Sequence, residues 1–67
     1  MATTKKKLGR RIQKFRKGLG YTQEELAEKL DISKTHMGHV EQGRKSPSLK
    51  LMERIAKTLR IKLSEFF

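Results

Sequence analysis

The chain has 67 residues, one proline and no cysteine, and it carries 17 basic against 7 acidic side chains for a net charge of +10. A chain of this size is one domain, whose single core supplies only about 3–5 kcal/mol of net stability, and neither disulfides nor cysteine-ligated metal are available to it. Its apolar runs fall far short of the ~18 residues a membrane span needs, so the expectation is a cytoplasmic protein with an acidic partner and no membrane role.

The charge is unevenly spread. Residues 1–20 carry eight basic groups and no acidic one, residues 21–42 five acidic and two basic, and residues 43–67 seven basic and two acidic. An acidic middle between basic ends is not the pattern of a disordered polybasic tail. Residues 1–7 offer no apolar anchor and read as a flexible basic arm, leaving 8–67 as the folded domain.

From Leu8 onward the apolar positions recur with helical spacing. Leu8, Ile12, Phe15 and Leu19 form one stripe, with Arg10, Arg11, Lys14 and Lys17 opposite. Gly18 and Gly20 mark its end. Thr22 and Glu25 then make an S/T-x-x-E capping box, flanked by Tyr21 and Leu26 at staple spacing. They predict a short helix over 23–30 with Leu26, Ala27 and Leu30 inward. Asp31 and Ile32 break the chain, and Ser33 caps a third helix over 33–42 that is buried through Met37 and Val40. Ser48 caps a fourth, with the stripe Leu49, Met52, Ile55, Ala56 and Leu59. A fifth, short helix runs from Leu63 to Phe67. No segment alternates with period two, so the class is all-α.

Two short helices joined by a tight turn are a helix-turn-helix. The small Ala27 suits the helix crossing, and with Met37 and Val40 inward the outward face of the third helix carries Lys34, Thr35, Gly38 and His39.

Several stretches resemble the phage repressor/Cro-like (XRE-type) helix-turn-helix family. They are Tyr21–Leu30, Ile32–Thr35, Val40–Arg44, Ser46–Leu49, Ile55–Leu59 and Leu63–Phe67. The resemblance implies a compact five-helix, lambda-repressor-like domain that binds double-stranded DNA, reads a palindromic operator as a homodimer and acts as a transcriptional regulator, a repressor in the first instance. It places Lys34, Thr35, Gly38 and His39 at base-reading positions, and Gln23, Arg44 and Lys45 at phosphates. Lys5, Lys6 and Lys7 add phosphate contacts from the arm. It pairs Arg16 with Glu41 to orient the third helix. Leu51, Ile61 and Phe67 are candidates for the dimer contact. Two positions depart from the pattern: Asp31 stands where the turn usually has glycine, and Gly38 where a longer polar side chain is common.

Other readings are weaker. An antitoxin or a restriction-modification controller of the same fold would add a protein partner such as a toxin. An interaction adaptor that had lost operator reading would present a neutral or acidic face, unlike Lys34, His39, Arg44 and Lys45. His36 and His39 lack the further ligands of a metal site. No nucleophile–base pair or phosphate-cradling glycine loop argues for an enzyme, and no cofactor is expected.

Overall fold

The structure, a computed structural model, describes residues 5–67. Its elements are α1 (Lys5–Gly18), α2 (Gln23–Leu30), α3 (Lys34–Glu41), α4 (Leu49–Thr58) and a 3₁₀ turn at Leu63–Phe66. Among the described residues there is no strand. The fifth helix of the sequence reading is therefore only this turn. Four residues preceded by Lys62, which makes no side-chain cap bond, are too few to sustain an α-helix, and 3₁₀ geometry is the usual form of such short pieces.

Each interior helix start is set by its neighbour three residues on. The Glu25 amide donates to Thr22 Oγ1 at 3.0 Å while the Thr22 amide donates to Glu25 Oε1 at 2.9 Å, completing the capping box. Ser33 Oγ accepts from the His36 amide at 2.9 Å, and Ser48 Oγ from the Leu51 amide at 3.1 Å. Ser33 and Gln42 are thus the caps of α3 rather than its first and last turns.

The box holds the Glu25 carboxyl below its ordinary range. The Thr22 backbone amide contributes most, then the Thr22 hydroxyl; desolvation opposes them, and attraction to Lys29 adds the smallest lowering effect. With the folded value depressed, the stability this group supplies is present above its ordinary carboxylate value and is lost as pH falls through the lower folded one. Glu25→Gln, which keeps an acceptor for the same amide but does not titrate there, is expected to flatten the dependence of melting temperature on pH in that acid window. An unchanged acid slope would mean that the box contributes nothing to it.

Helix ends follow the backbone of single residues. Gly20 (φ 78°) closes α1, with its amide on the Lys17 carbonyl at 3.0 Å and that of Tyr21 on the Arg16 carbonyl at 3.1 Å. Leu19 lies in this turn, beyond the helix, and is 45% exposed. It is not the last member of the buried stripe, because the turn rotates it away. Asp31 closes α2 in the left-handed region (φ 57°, ψ 44°), which aspartate enters more readily than most residues. The Ile32 amide then returns to the Ala27 carbonyl at 3.0 Å.

The core is built on Ile12, Leu26, Leu30, Met37, Ile55, Leu59 and Phe66. Phe15 packs edge-on against Phe66, with centroids 6.5 Å apart and planes at 66°. Ala27 is buried on α2, as its small side chain allows. The Arg54 guanidinium donates to the Leu30 carbonyl at 2.7 Å, tying α4 to the end of α2.

Two of the dimer candidates belong to this core. Leu51 is buried, and Ile61 is half-buried against the same cluster. The apolar face of α4 is broad enough to turn both Leu51 and Met52 inward, because the helix is covered by α2 and by the 3₁₀ turn. Phe67 is 65% exposed, and Leu49, outside that candidate set, is 60% exposed.

The start of the domain also moves. Residues 1–4 of the expected arm lie outside the described residues, whereas Lys5–Lys7 form the first turn of α1. The start of a helix disfavours positive charge, so local electrostatics do not explain this turn. A tertiary contact does: the Lys6 backbone and stem lie directly against Gly43.

Candidate nucleic-acid interface

α3 presents its polar face to solvent because Met37 and Val40 are drawn into the core. Lys34 and Thr35 are exposed in its first turn, and Gly38 and His39 are half-exposed one turn later. These four residues line one open cleft together with Gln23, Gln42 and Arg44. The expected base-reading set is thus gathered on one surface with Gln23 and Arg44, two of the six expected phosphate residues. Lys45 is exposed in the same loop but lies outside the cleft lining, as do Lys5, Lys6 and Lys7.

Glu41 is the junction behind this surface. Arg16 Nε–H donates to Glu41 Oε2 at 2.6 Å, and Arg16 Nη2–H to Oε1 at 3.0 Å. This two-pronged ion pair is buried, with the side chains 7% and 2% exposed. Arg16 Nη1–H also donates to the Tyr21 carbonyl at 2.7 Å. Gln23 Nε2–H reaches Glu41 Oε1 at 3.1 Å. One carboxylate therefore holds α1, the start of α2 and the end of α3 in register.

The same bonds orient Gln23. A carboxylate only accepts, so it must face the NH₂ end of the amide. The second amide hydrogen remains available to an incoming acceptor. The backbone amides of Gln23 and Glu24 sit at the start of α2, where helix geometry leaves them unpaired and the dipole is positive. An anion placed there meets several donors at once.

α3 contains one acidic residue, Glu41, and its charge is buried and matched by Arg16. No acidic side chain lines the cleft. The outward surface is cationic and rich in donors, which suits the anionic backbone and the acceptor-rich guanine edge of DNA.

Two glycines have different reasons for being there. A Cβ on Gly38 would meet only Gln23 Oε1, at 3.7 Å, which is ordinary contact. The fold does not require glycine at 38. A Cβ on Gly9 would overlap the Glu41 carbonyl oxygen and lie 2.6 Å from that of Val40. Gly9 thus sets how closely α1 approaches α3, a role the sequence reading missed. The available signal was its spacing: Gly9 precedes Arg16 by two helical turns and shares its face. Gln42, also missed, enters the cleft from its place as the cap of α3.

The helix-turn-helix family model HTH_3 matches residues 12–66. The chain is 44% identical over 57 residues to an uncharacterized HTH-type transcriptional regulator, YazB, of Bacillus subtilis (strain 168), covering 85% of this chain and 83% of that protein. Its structure is similar to that of the restriction-modification controller protein C.AhdI from Aeromonas hydrophila, with TM-score 0.89, 32% identity and coverage of 94% and 96% of the two chains. It is also similar to SinR, a master regulator for biofilm formation, in complex with DNA. There the TM-score is 0.82, the identity 30% and the coverage 88% and 95%.

Proposed function

This chain belongs to the HTH_3 helix-turn-helix family, and on that premise we propose that it is a transcriptional regulator that inserts α3 into the major groove of double-stranded DNA. The observation that carries this reading is the cleft on α3, where the reading positions converge beside Gln23 and Arg44 while the one acidic group of α3 is paired away inside. Similarity to a regulator solved with DNA supports it.

In this reading Lys34 donates to guanine O6 and N7, and Thr35 bonds a base edge or touches a thymine methyl. His39 reads one turn further on, and Gly38 lets the duplex approach the helix backbone. Gln23, Arg44 and Lys45 hold phosphates and set the register, since backbone contacts position and base contacts specify. The protein acts as a homodimer on an inverted repeat, with exposed Phe67 and Leu49 as its apolar contact. No helix among the described residues is long and apolar enough to cross a membrane, and the reading puts the protein in the cytoplasm with its DNA. The narrower role of controlling a restriction-modification operon is supported by the similarity to C.AhdI.

The test is selection from a random duplex pool at roughly 150 mM salt, where non-specific binding is weak. The expected product is an inverted repeat with half-sites about one helical turn, ~34 Å, apart. Lys34→Ala is expected to lose about 1–3 kcal/mol of discrimination at one base pair per half-site while keeping its affinity for unrelated duplex. A wild-type pool with no enriched motif overturns sequence reading.

A further inference from the structure

A second cleft lies beside the first. Lys6, Arg10 and Gln13 of α1 form one wall, and Gln23, Glu41 and Gln42 form the other. Gln23 and Gln42 border both clefts, so the two lie side by side. A DNA strand whose phosphate meets Gln23 therefore has the α1 wall next to it.

The electrostatics of this cleft favour an anion. Lys6 and Arg10 are exposed and one helical turn apart on the same face. Neither has a hydrogen-bond or ion-pair partner among the described residues. The acidic group in the opposite wall, Glu41, already accepts three N–H bonds and is matched by buried Arg16. Besides Glu41, the cleft is lined by two cations without a side-chain partner among the described residues and by the amides of Gln13, Gln23 and Gln42.

The wall is also held in place. The backbone of α1 touches the end of α3 at Gly9, next to the Val40 and Glu41 carbonyl oxygens. A Cβ on Gly43 would lie 2.8–2.9 Å from Lys6 Cγ, Cα and N, so the Lys6 stem rests on the loop that leaves α3. Two glycines thus bring two cations into fixed relation with the reading helix. Cations placed this way lose little side-chain freedom when an anion arrives.

We propose that Lys6 and Arg10, assisted by Gln13, form a second phosphate cradle that extends the DNA footprint from α3 onto α1. This deepens the DNA-binding reading and rests on it. The ligand is a backbone phosphodiester of the bound duplex, flanking the bases that α3 reads. The contact is independent of sequence and adds affinity and register.

The test is the salt dependence of binding to a random-sequence duplex, followed by fluorescence anisotropy between roughly 50 and 200 mM salt. The wild type is compared with Lys6→Ala/Arg10→Ala and with the charge-matched Lys14→Ala/Lys57→Ala, whose exposed lysines line neither cleft. Alanine is the best helix former, and thermal melts verify that each variant is folded. Each lost phosphate contact lowers the log–log slope by about 0.9. The cleft variant is expected to lose nearly two units of slope, and the control variant little. Lys6→Arg/Arg10→Lys is expected to restore the slope. Equal slopes in the two double-alanine variants overturn the cradle and leave DNA binding by α3 standing. A wild type that binds no duplex at all overturns the DNA-binding reading, and the cradle with it.

Discussion

Glu41→Ala is expected to cost about 3–5 kcal/mol, because it leaves the buried Arg16 guanidinium without its counter-charge. The net stability available to a core of this size is also only about 3–5 kcal/mol, so the variant should be largely unfolded at room temperature. The Arg16 side chain is 7% exposed and reaches into the junction of three helices. Two of its N–H groups, and one from Gln23, would lose their acceptor. Circular-dichroism melts decide the matter, and a loss below about 1 kcal/mol, typical of an exposed pair, would show that the pair is not the junction.

The double variant Arg16→Met/Glu41→Leu separates charge from packing. Replacing a whole buried ion pair by apolar side chains is often neutral or stabilising, since desolvation opposes most of the attraction. It should recover most of the stability lost in Glu41→Ala, less the bond from Arg16 to the Tyr21 carbonyl. It should not recover DNA binding. Gln23 would have lost the partner that orients it, and a buried charge would no longer hold α3 to α1. A folded double variant with wild-type affinity would mean that the pair stabilises the fold without orienting the reading surface.

The second large effect is Gly9→Ala, set against Gly38→Ala, where the same substitution is expected to act with opposite sign. At Gly9 the added carbon overlaps the Glu41 carbonyl oxygen and approaches that of Val40. Both are backbone atoms at the end of a helix and cannot rotate aside, so α1 must lift from α3. Overpacking of this kind costs typically 1–3 kcal/mol and sometimes more. The gain in helix propensity, about 1 kcal/mol, offsets only part of it where the close approach is backbone on backbone. The displacement also pulls Lys6 off Gly43 and shifts Arg16 relative to Glu41, so duplex affinity should fall together with stability.

At Gly38 the added carbon has only the far end of Gln23 at 3.7 Å. There the substitution should stabilise the fold by about 0.5–1 kcal/mol, raising the melting temperature by several degrees in a domain of this size. A parallel melt of both variants checks the pair. If Gly9→Ala melts no lower than wild type, the α1–α3 approach is looser than the structure has it. A Gly38→Ala protein that is more stable yet binds the selected site more weakly would mark a close approach of the duplex at that position.

The local rules and the long-range ones divide cleanly in this chain. Thr22, Ser33 and Ser48 each act on an amide three residues away, so every interior helix start was readable from adjacent residues alone. The inward faces of α2 and α3 followed from spacing, which also turned Lys34, Thr35, Gly38 and His39 outward. Pairing Arg16 with Glu41 across 25 residues came through family resemblance, because spacing holds no information about which distant helix meets which. The net charge and its acidic middle indicated the class of partner without any coordinates.

What only the tertiary structure decided were the distances between elements. Leu19 and Leu51 carry the same side chain, yet one is turned outward beyond a helix end and the other is buried on α4. Lys5–Lys7 looked like an arm because no apolar residue anchors them, and a backbone contact at Gly43 makes them helix instead. Gly9 reads as an ordinary weak point in a helix until the carbonyl oxygens of Val40 and Glu41 are found against it. The cleft that joins residues 6, 10 and 13 to residues 23, 41 and 42 exists only after α1 has docked on α3. Propensity, capping and periodicity are properties of neighbours along the chain. Close approach, burial on a shared face and the meeting of charges depend on how the helices pack, which no window of local sequence contains.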